Sequence, residues 1–401
     1  ETQNLSQFSF SETGLRGTGC GKSARPGLWG SRKATTCSTR TLTNVDLTKV
    51  NSNNENRIRV LVVDDSLVSR KLHQKIISGD SRFTVVGTAS NGEEAFSKVQ
   101  QLKPDVVSMD VNMPHLNGIE ATRKIMNHFS VPIIIVSSLY NEKEKQLAVE
   151  AAAAGAVYIM PKPRGIGHPD FDRDAKKYIR MLKNMSEVKV VGRRANAPSG
   201  NSASGSRPAK ESINDTKRDI ILIGASAGGP QALKSILEAL PPHFPLPVLI
   251  VQHLDKSFTE SFRAWIASFA ALPVTIAKDN EAIKGGHIYL APGGKNMRIK
   301  TKGTILLTGD PEETGHKPSV AALFSSAGEV YKKKAVAILL SGMGRDGAAE
   351  MQETKKAGPF TIAQEKQSCL VFGMPGEAVK LGAASAVLTP EEITNELLKL
   401  I

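Results

Sequence analysis

Residues 220–229 restrict what the C-terminal half of this chain can fold into. Four apolar residues, Ile220 to Ile223, run without a break into Gly224-Ala225-Ser226-Ala227-Gly228-Gly229. Pro230 follows, and then Leu233, Ile236, Leu237 and Leu240 fall on one face of a helix. A buried strand, a glycine-rich turn and a helix are therefore expected in that order, with Ser226 on the turn. Glycines there allow unusual backbone angles and close approach by another group. The helix start offers free N–H groups and positive dipole to a developing negative charge. A serine in that place is either a nucleophile or part of a backbone cradle for phosphate.

At 401 residues the chain has length for about two domains of roughly 150 residues each. The first begins at Arg57, after a 1–56 stretch rich in Ser, Thr, Asn and Gly that reads as disordered. From there buried strands alternate with helices: Arg59 to Val63, Phe83 to Thr88, Asp105 to Met109, Pro132 to Val136 and Val157 to Met160. Five such units predict a doubly wound parallel sheet over 57–165, with its chemistry at the carboxyl ends of the strands. Those ends carry Asp64, Asp65, Asp110, Ser137 and Lys162. Three carboxylates crowded together repel one another unless a cation neutralises them, and hard oxygen ligands select Mg²⁺. Ser137 and Lys162 are placed to meet the remaining oxygens of a phosphoryl group.

Residues 166–218 read as a linker. Tyr178, Ile179, Leu182 and Met185 give its first part helical spacing, able to dock on either domain, and about 193–218 reads as a flexible tether. From Asp219 strands and helices alternate again to the C-terminus. The second domain, 219–401, is thus also α/β, including a hairpin across Lys302-Gly303 and a Pro-initiated helix over 316–330. Three polar residues stand just past its apolar strands: Ser226, His253 and Asp346. A serine hydroxyl needs a base to take its proton, and the base needs a carboxylate to fix its tautomer. The N–H groups of Ala227 and of the Gly342-Met343-Gly344 loop, Met343 foremost, are candidate oxyanion donors. His287 and His316 compete for the base role, but the first opens a strand and the second precedes a helix. A nucleotide loop stays open as an alternative, although Ser226 stands where a dinucleotide loop needs glycine and no Walker lysine follows.

Charge discriminates among partners. The net +13 is uneven: Lys and Arg exceed Asp and Glu by three in 1–56, three in 57–165, six in 166–218 and one in 219–401. The excess lies largely outside the folded C-terminal domain, which argues against a DNA-binding effector. Three cysteines are too few for a disulfide framework. No apolar run approaches the ~20 residues that span a bilayer, so no membrane insertion and a cytoplasmic setting are expected.

Two resemblances sharpen these expectations. Residues from Arg57 to Arg164 resemble the receiver domain of two-component response regulators. That resemblance implies a flavodoxin-like fold, Asp110 as acceptor of a phosphoryl group from a histidine kinase, and Mg²⁺ held by Asp64, Asp65 and Asp110. Ser137 and Lys162 would report the phosphate to the surface. The aromatic switch position of that family is Ile159 here, with Tyr158 beside it.

Residues 219–401 closely resemble the catalytic domain of the protein-glutamate methylesterases of bacterial chemotaxis. The matching runs are IGASAGG (223–229), VQHL (251–254), LAPGG (290–294), HKPSV (316–320), SGMGRDGA (341–348) and VFGMPGEAVKLGAA (371–384). The resemblance implies a Rossmann-like domain in which Ser226 is the nucleophile, His253 the base and acid, and Asp346 the orienting carboxylate, with no cofactor. Its substrates would be γ-glutamyl methyl esters, and some glutamines, of chemoreceptors. The receiver would cover the cleft until phosphorylated. The family commonly has Thr where Ala227 stands, and an acidic residue after Val320 where Ala321 and Ala322 stand; that second departure is expected to bear on receptor contact or domain docking and not on the triad.

Overall fold

Strand β1 (Ile58–Val63) is apolar and buried over its last four residues, as a strand covered on both faces of a parallel sheet must be. It lies between β2 (Phe83–Ala89) and β3 (Val106–Met109), followed outward by β4 (Ile133–Ser137) and β5 (Tyr158–Pro161), all parallel. Helices α1 (Leu67–Ser78), α2 (Gly92–Leu102), α3 (Gly118–His128) and α4 (Glu142–Ala154) connect them. Ser66, Asn91, Asn117 and Asn141 cap these helices through their side chains. The computed structural model describes residues 57–139, 141–191, 213, 216–301, 303–309 and 316–401. All of them fall within one unit, Asn54–Ile401. The 1–56 tail and most of the 193–218 tether lie outside the described residues.

Helix α5 (Phe171–Ser186) occupies the first part of the segment read as a linker, and it docks on the first sheet. Tyr178 and Leu182 are fully buried there, and the Tyr178 hydroxyl donates to Ser108 Oγ on β3 at 2.7 Å. Beyond the helix, Val190 pairs with Val371 of the second domain, and the Val191 N–H donates to the Leu370 carbonyl at 3.0 Å.

The second domain is a seven-stranded parallel sheet. Its strands are β6 (Ile220–Ala225), β7 (Val248–Gln252), β8 (Val274–Ile276), β9 (Ile288–Leu290), β12 (Ala335–Leu339), β13 (Phe360–Gln364) and β14 (Ala386–Leu388), in the spatial order β14-β13-β12-β6-β7-β9-β8. The three-residue edge strand β14 carries too short an apolar pattern to be read from sequence. Strands β10 (Asn296–Thr301) and β11 (Thr304–Thr308) form the expected antiparallel hairpin. Helices α6 (Gly229–Glu238), α7 (Thr259–Ala267), α8 (Val320–Tyr331), α9 (Ala348–Lys356), α10 (Met374–Lys380) and α11 (Pro390–Leu398) complete the domain. Helix α8 begins later than the sequence pattern implied. Pro318 stands ahead of it, and Ser319 is the cap, accepting from the Ala322 N–H.

Strand order decides where the chemistry meets. β6 is central, with β7 on one side and β12 on the other. The segments leaving these three strands carry Ser226, His253 and Asp346.

Candidate active site

Ser226 leaves β6 on a turn whose Gly228 has φ 77°, the left-handed region that glycine tolerates. The Ser226 N–H donates to the Ser341 carbonyl at 3.0 Å, and Ser341 Oγ donates to the Ala227 carbonyl at 2.7 Å. Together these bonds tie the serine turn to the loop after β12. His253 follows β7, and its N–H donates to the Ala225 carbonyl at 3.0 Å.

His253 and Asp346 are buried side by side, with Nε2 of the imidazole 2.7 Å from Asp346 Oδ2. The carboxylate also accepts from Ser319 Oγ at 3.0 Å, from the Val320 N–H at 2.8 Å and from the Ala321 N–H at 3.1 Å. Burial by itself raises this carboxyl's pKa. The hydrogen bonds from His253, Val320 and Ala321 overcome that and hold it at about 2. Asp346 is therefore an anion facing the imidazole. The other ring nitrogen, His253 Nδ1, is buried without a hydrogen-bond partner among the described residues.

His253 and Ser226 line one small cavity of about 20 Å³, together with Ala227 and Gln252. No hydrogen bond joins the Ser226 hydroxyl to the imidazole among the described residues. The wall opposite is the receiver: Ala152 of α4, Ala156 and Val157 of the following turn, and Tyr158 and Ile159 of β5. Helix α4 packs on α6 and α7, Ser261 Oγ donates to Glu142 Oε2 at 3.3 Å, and Lys177 of α5 is ion-paired with Asp255. Burial first, and then the Asp255 charge, push the Tyr158 hydroxyl up to about 12. The site holds about one water and has no space for a glutamyl side chain.

The two histidines that competed with His253 are separated by the structure. His287 stands at the amino end of β9, away from the strand ends that carry the site, and stacks on Tyr289. His316 lies flat on His253, with ring centroids 4.2 Å apart and 9° between planes. Although solvent reaches His316, crowding by the domain and then the neighbouring His253 keep its pKa below the ordinary imidazole value.

The Ala321 backbone N–H bonds the Asp346 carboxylate, a contact that any side chain at this position would leave available. Sequence reasoning assigned no role to Ser319 or Gln252. The N-cap position of Ser319 was a usable signal, whereas nothing in the local pattern marks Gln252.

In the receiver, Asp64, Asp65 and Asp110 each offer a carboxylate oxygen, all within 4.8 Å of one another. An all-oxygen set with one exposed member fits Mg²⁺, which keeps several waters. Lys162 Nζ bridges Asp64 Oδ2 and Asp110 Oδ2, at 2.8 Å each. Burial pushes the Asp110 carboxyl up to about 6 against the pull of Lys162. Ser137 is turned aside, its hydroxyl donating to the Ser138 and Glu144 carbonyls at 3.3 and 3.4 Å.

The family model for the CheB methylesterase matches residues 221–397, and that for the response regulator receiver domain matches 60–168. The protein-glutamate methylesterase/protein-glutamine glutaminase of Nitrosospira multiformis is 45% identical over 344 residues, covering 86% of this chain and 97% of its own. Its counterpart in Syntrophus aciditrophicus is 44% identical over 344 residues, covering 86% and 98%. The crystal structure of the Thermotoga maritima CheB methylesterase catalytic domain is 35% identical, aligns over 46% of this chain and 100% of its own, and gives a TM-score of 0.45. The chain belongs to the protein-glutamate methylesterase/protein-glutamine glutaminase family, a carboxylic-ester hydrolase that carries a response-regulator receiver domain.

Proposed function

We propose that Ser226 is the nucleophile, His253 the general base and then acid, and Asp346 the orienting carboxylate, in hydrolysis of γ-glutamyl methyl esters on chemoreceptors. The observation that carries this reading is the 2.7 Å contact of His253 Nε2 with Asp346. It leaves Nδ1 as the nitrogen able to exchange a proton, in a cavity that Ser226 also lines. This chemistry requires that rotation of Ser226 about its Cα–Cβ bond bring the hydroxyl to that nitrogen, a looseness common before substrate binds. In acylation Oγ bonds the ester carbon and gives its proton to Nδ1. The C–O bond then breaks, and methanol leaves with that proton. In deacylation water gives a proton to Nδ1 and attacks the acyl-enzyme, and Ser226 recovers the proton. A carboxamide follows the same path with ammonia as leaving group. The Ala227 and Met343 N–H groups stabilise the tetrahedral oxyanion.

Asp110 is the phosphoacceptor: its carboxylate oxygen bonds the phosphorus of a kinase phosphohistidine and the P–N bond breaks. Asp64, Asp65 and Asp110 would hold Mg²⁺, which would supply positive charge against the phosphoryl oxygens. Lys162 leaves its carboxylate bridge for a phosphoryl oxygen, and Ser137 turns inward to another. The proposed domain limits are 57–165 for the receiver, 166–218 for the linker and 219–401 for the catalytic domain. Among the described residues no helix is long and apolar enough to cross a membrane, and we place the chain in the cytoplasm. The receiver wall over the Ser226 cavity supports inhibition by the unphosphorylated receiver. Methanol release from methylated receptor, with and without a small phosphodonor, tests the whole scheme. Ser226→Ala abolishes release and leaves Asp110 labelling intact, whereas Asp110→Asn loses both labelling and activation. Near-normal turnover by Ser226→Ala overturns the mechanism.

A further inference from the structure

Gln252 ends β7 one residue before His253 and is only 5% exposed. Its Nε2 donates to the Ser226 carbonyl at 2.9 Å and to the His253 carbonyl at 3.1 Å. The Ser226 carbonyl accepts the Gly229 N–H as well, at 2.9 Å. That oxygen belongs to the peptide unit joining Ser226 to Ala227. A trans peptide is planar, with C=O and N–H pointing in opposite directions. Holding the Ser226 carbonyl therefore also aims the Ala227 N–H. That N–H has no partner among the described residues, and Ala227 lines the cavity shared by Ser226 and His253.

The carboxamide is wedged in place. A Cβ on Gly229 would stand 2.4 Å from Gln252 Oε1, and that oxygen is buried without a hydrogen-bond partner among the described residues. The side chain thus spends its donor on the serine turn and leaves its acceptor unused. Such an arrangement is explained by a requirement for the donor.

We propose that Gln252 is a positioning residue for ester and amide hydrolysis: it aims and polarises the Ala227 N–H as an oxyanion donor. The inference rests on Ser226 being the nucleophile. Two donors on one carbonyl draw electron density toward its oxygen, and bonds in such a chain strengthen one another. A donor fixed before reaction needs no reorganisation when the oxyanion forms. Glutamate keeps the shape but, when ionised, only accepts, and methionine keeps the length without a donor.

The test uses the full chain activated by a small phosphodonor, with methanol release from methylated receptor as the assay. Gln252→Met and Gln252→Glu are each expected to lower kcat about 10- to 100-fold, somewhat less than outright loss of an oxyanion donor. KM should stay within about twofold, because the interaction lost belongs to the transition state. In Gln252→Met, which adds no charge, the midpoint of the pH–kcat curve should not move, because the base is untouched. Should Gln252→Met melt well below the wild type, Gln252→Glu decides. Wild-type kcat in a folded variant, a raised KM with kcat kept, or a displaced pH midpoint in Gln252→Met each overturn the proposal. Ser226→Ala runs alongside: turnover by that variant removes the nucleophile, a separate failure from turnover by the Gln252 variants alone.

Discussion

Lys177 of α5 is ion-paired with Asp255, two residues past His253. Its neighbour Tyr178 points the other way, bonding Ser108 on β3, two residues before Asp110. One turn of helix therefore touches both the strand that leads to Asp110 and the segment that follows His253. The Lys177 side chain is 34% exposed, so solvent screens the pair. Lys177→Ala should weaken the closed arrangement by about 1 kcal/mol, or about fivefold in population. Methanol release without phosphodonor should rise by that factor, and added salt should raise the wild type in the same direction. Unchanged basal release in the variant would remove the pair from the restraint.

In the proposed mechanism the Asp346 carboxylate, 2.7 Å from His253 Nε2, fixes the tautomer and orientation of that imidazole. Asp346→Asn keeps the shape but presents an amide to Nε2, and should lower kcat by roughly 10³–10⁴. Ser319 supports the carboxylate through one hydroxyl at 3.0 Å. Ser319→Ala should cost about 1 kcal/mol of that support, seen as a loss of about fivefold in kcat with KM kept. Equal losses in the two variants would contradict this ranking.

How much of this was legible follows from where each signal lies. Ser226, His253, Asp346 and Asp110 each end or follow an apolar run, and a parallel sheet gathers such ends on one edge. Glycine and proline marked the turns around them. Helix α5 announced itself by the spacing of Tyr178, Leu182 and Met185, but spacing does not say which surface a helix covers. The Lys177–Asp255 pair joins residues far apart in sequence, and periodicity carries no information about such contacts. Ile159, which stands at the receiver's aromatic switch position, turns out to wall the Ser226 cavity. The role of Gln252 is set by two carbonyls, and backbone atoms leave no trace in residue identity.

Gly342 shows how little slack the serine turn has. A Cβ there would stand 2.3 Å from Met374 Sδ and 2.9 Å from Ser226 Cβ. Methionine is flexible and can yield, whereas the serine backbone is held at both ends. Gly342→Ala should cost about 1–3 kcal/mol of stability through overpacking. Displacement of Ser226 should lower kcat by about 10²-fold, since small misplacements of a proposed nucleophile are expensive in rate. Melting temperature and methanol release measured on the same sample separate the two effects, and a stability loss with normal kcat would contradict the prediction.

His73 of α1 is buried against Tyr178, ring centroids 5.1 Å apart, and its Nε2 has no hydrogen-bond partner among the described residues. Burial first lowers its pKa, to about 4, against the pull of Asp64. The folded value lies below the unfolded value of about 6.5. The neutral ring's contribution is therefore complete above about pH 6.5 and is lost as pH falls toward about 4. By pH 5 the loss amounts to about 2 kcal/mol. Asp110 works in the opposite sense. Its carboxyl is raised to about 6 by burial, so folding gains as that group protonates below pH 6. The informative quantity is therefore the difference between wild type and His73→Phe, which leaves Asp110 in place. The urea midpoint of the receiver transition should fall more between pH 7 and pH 5 in the wild type than in His73→Phe. Equal shifts in the two proteins would mean that the imidazole reaches water, or an acceptor, when it takes up its proton.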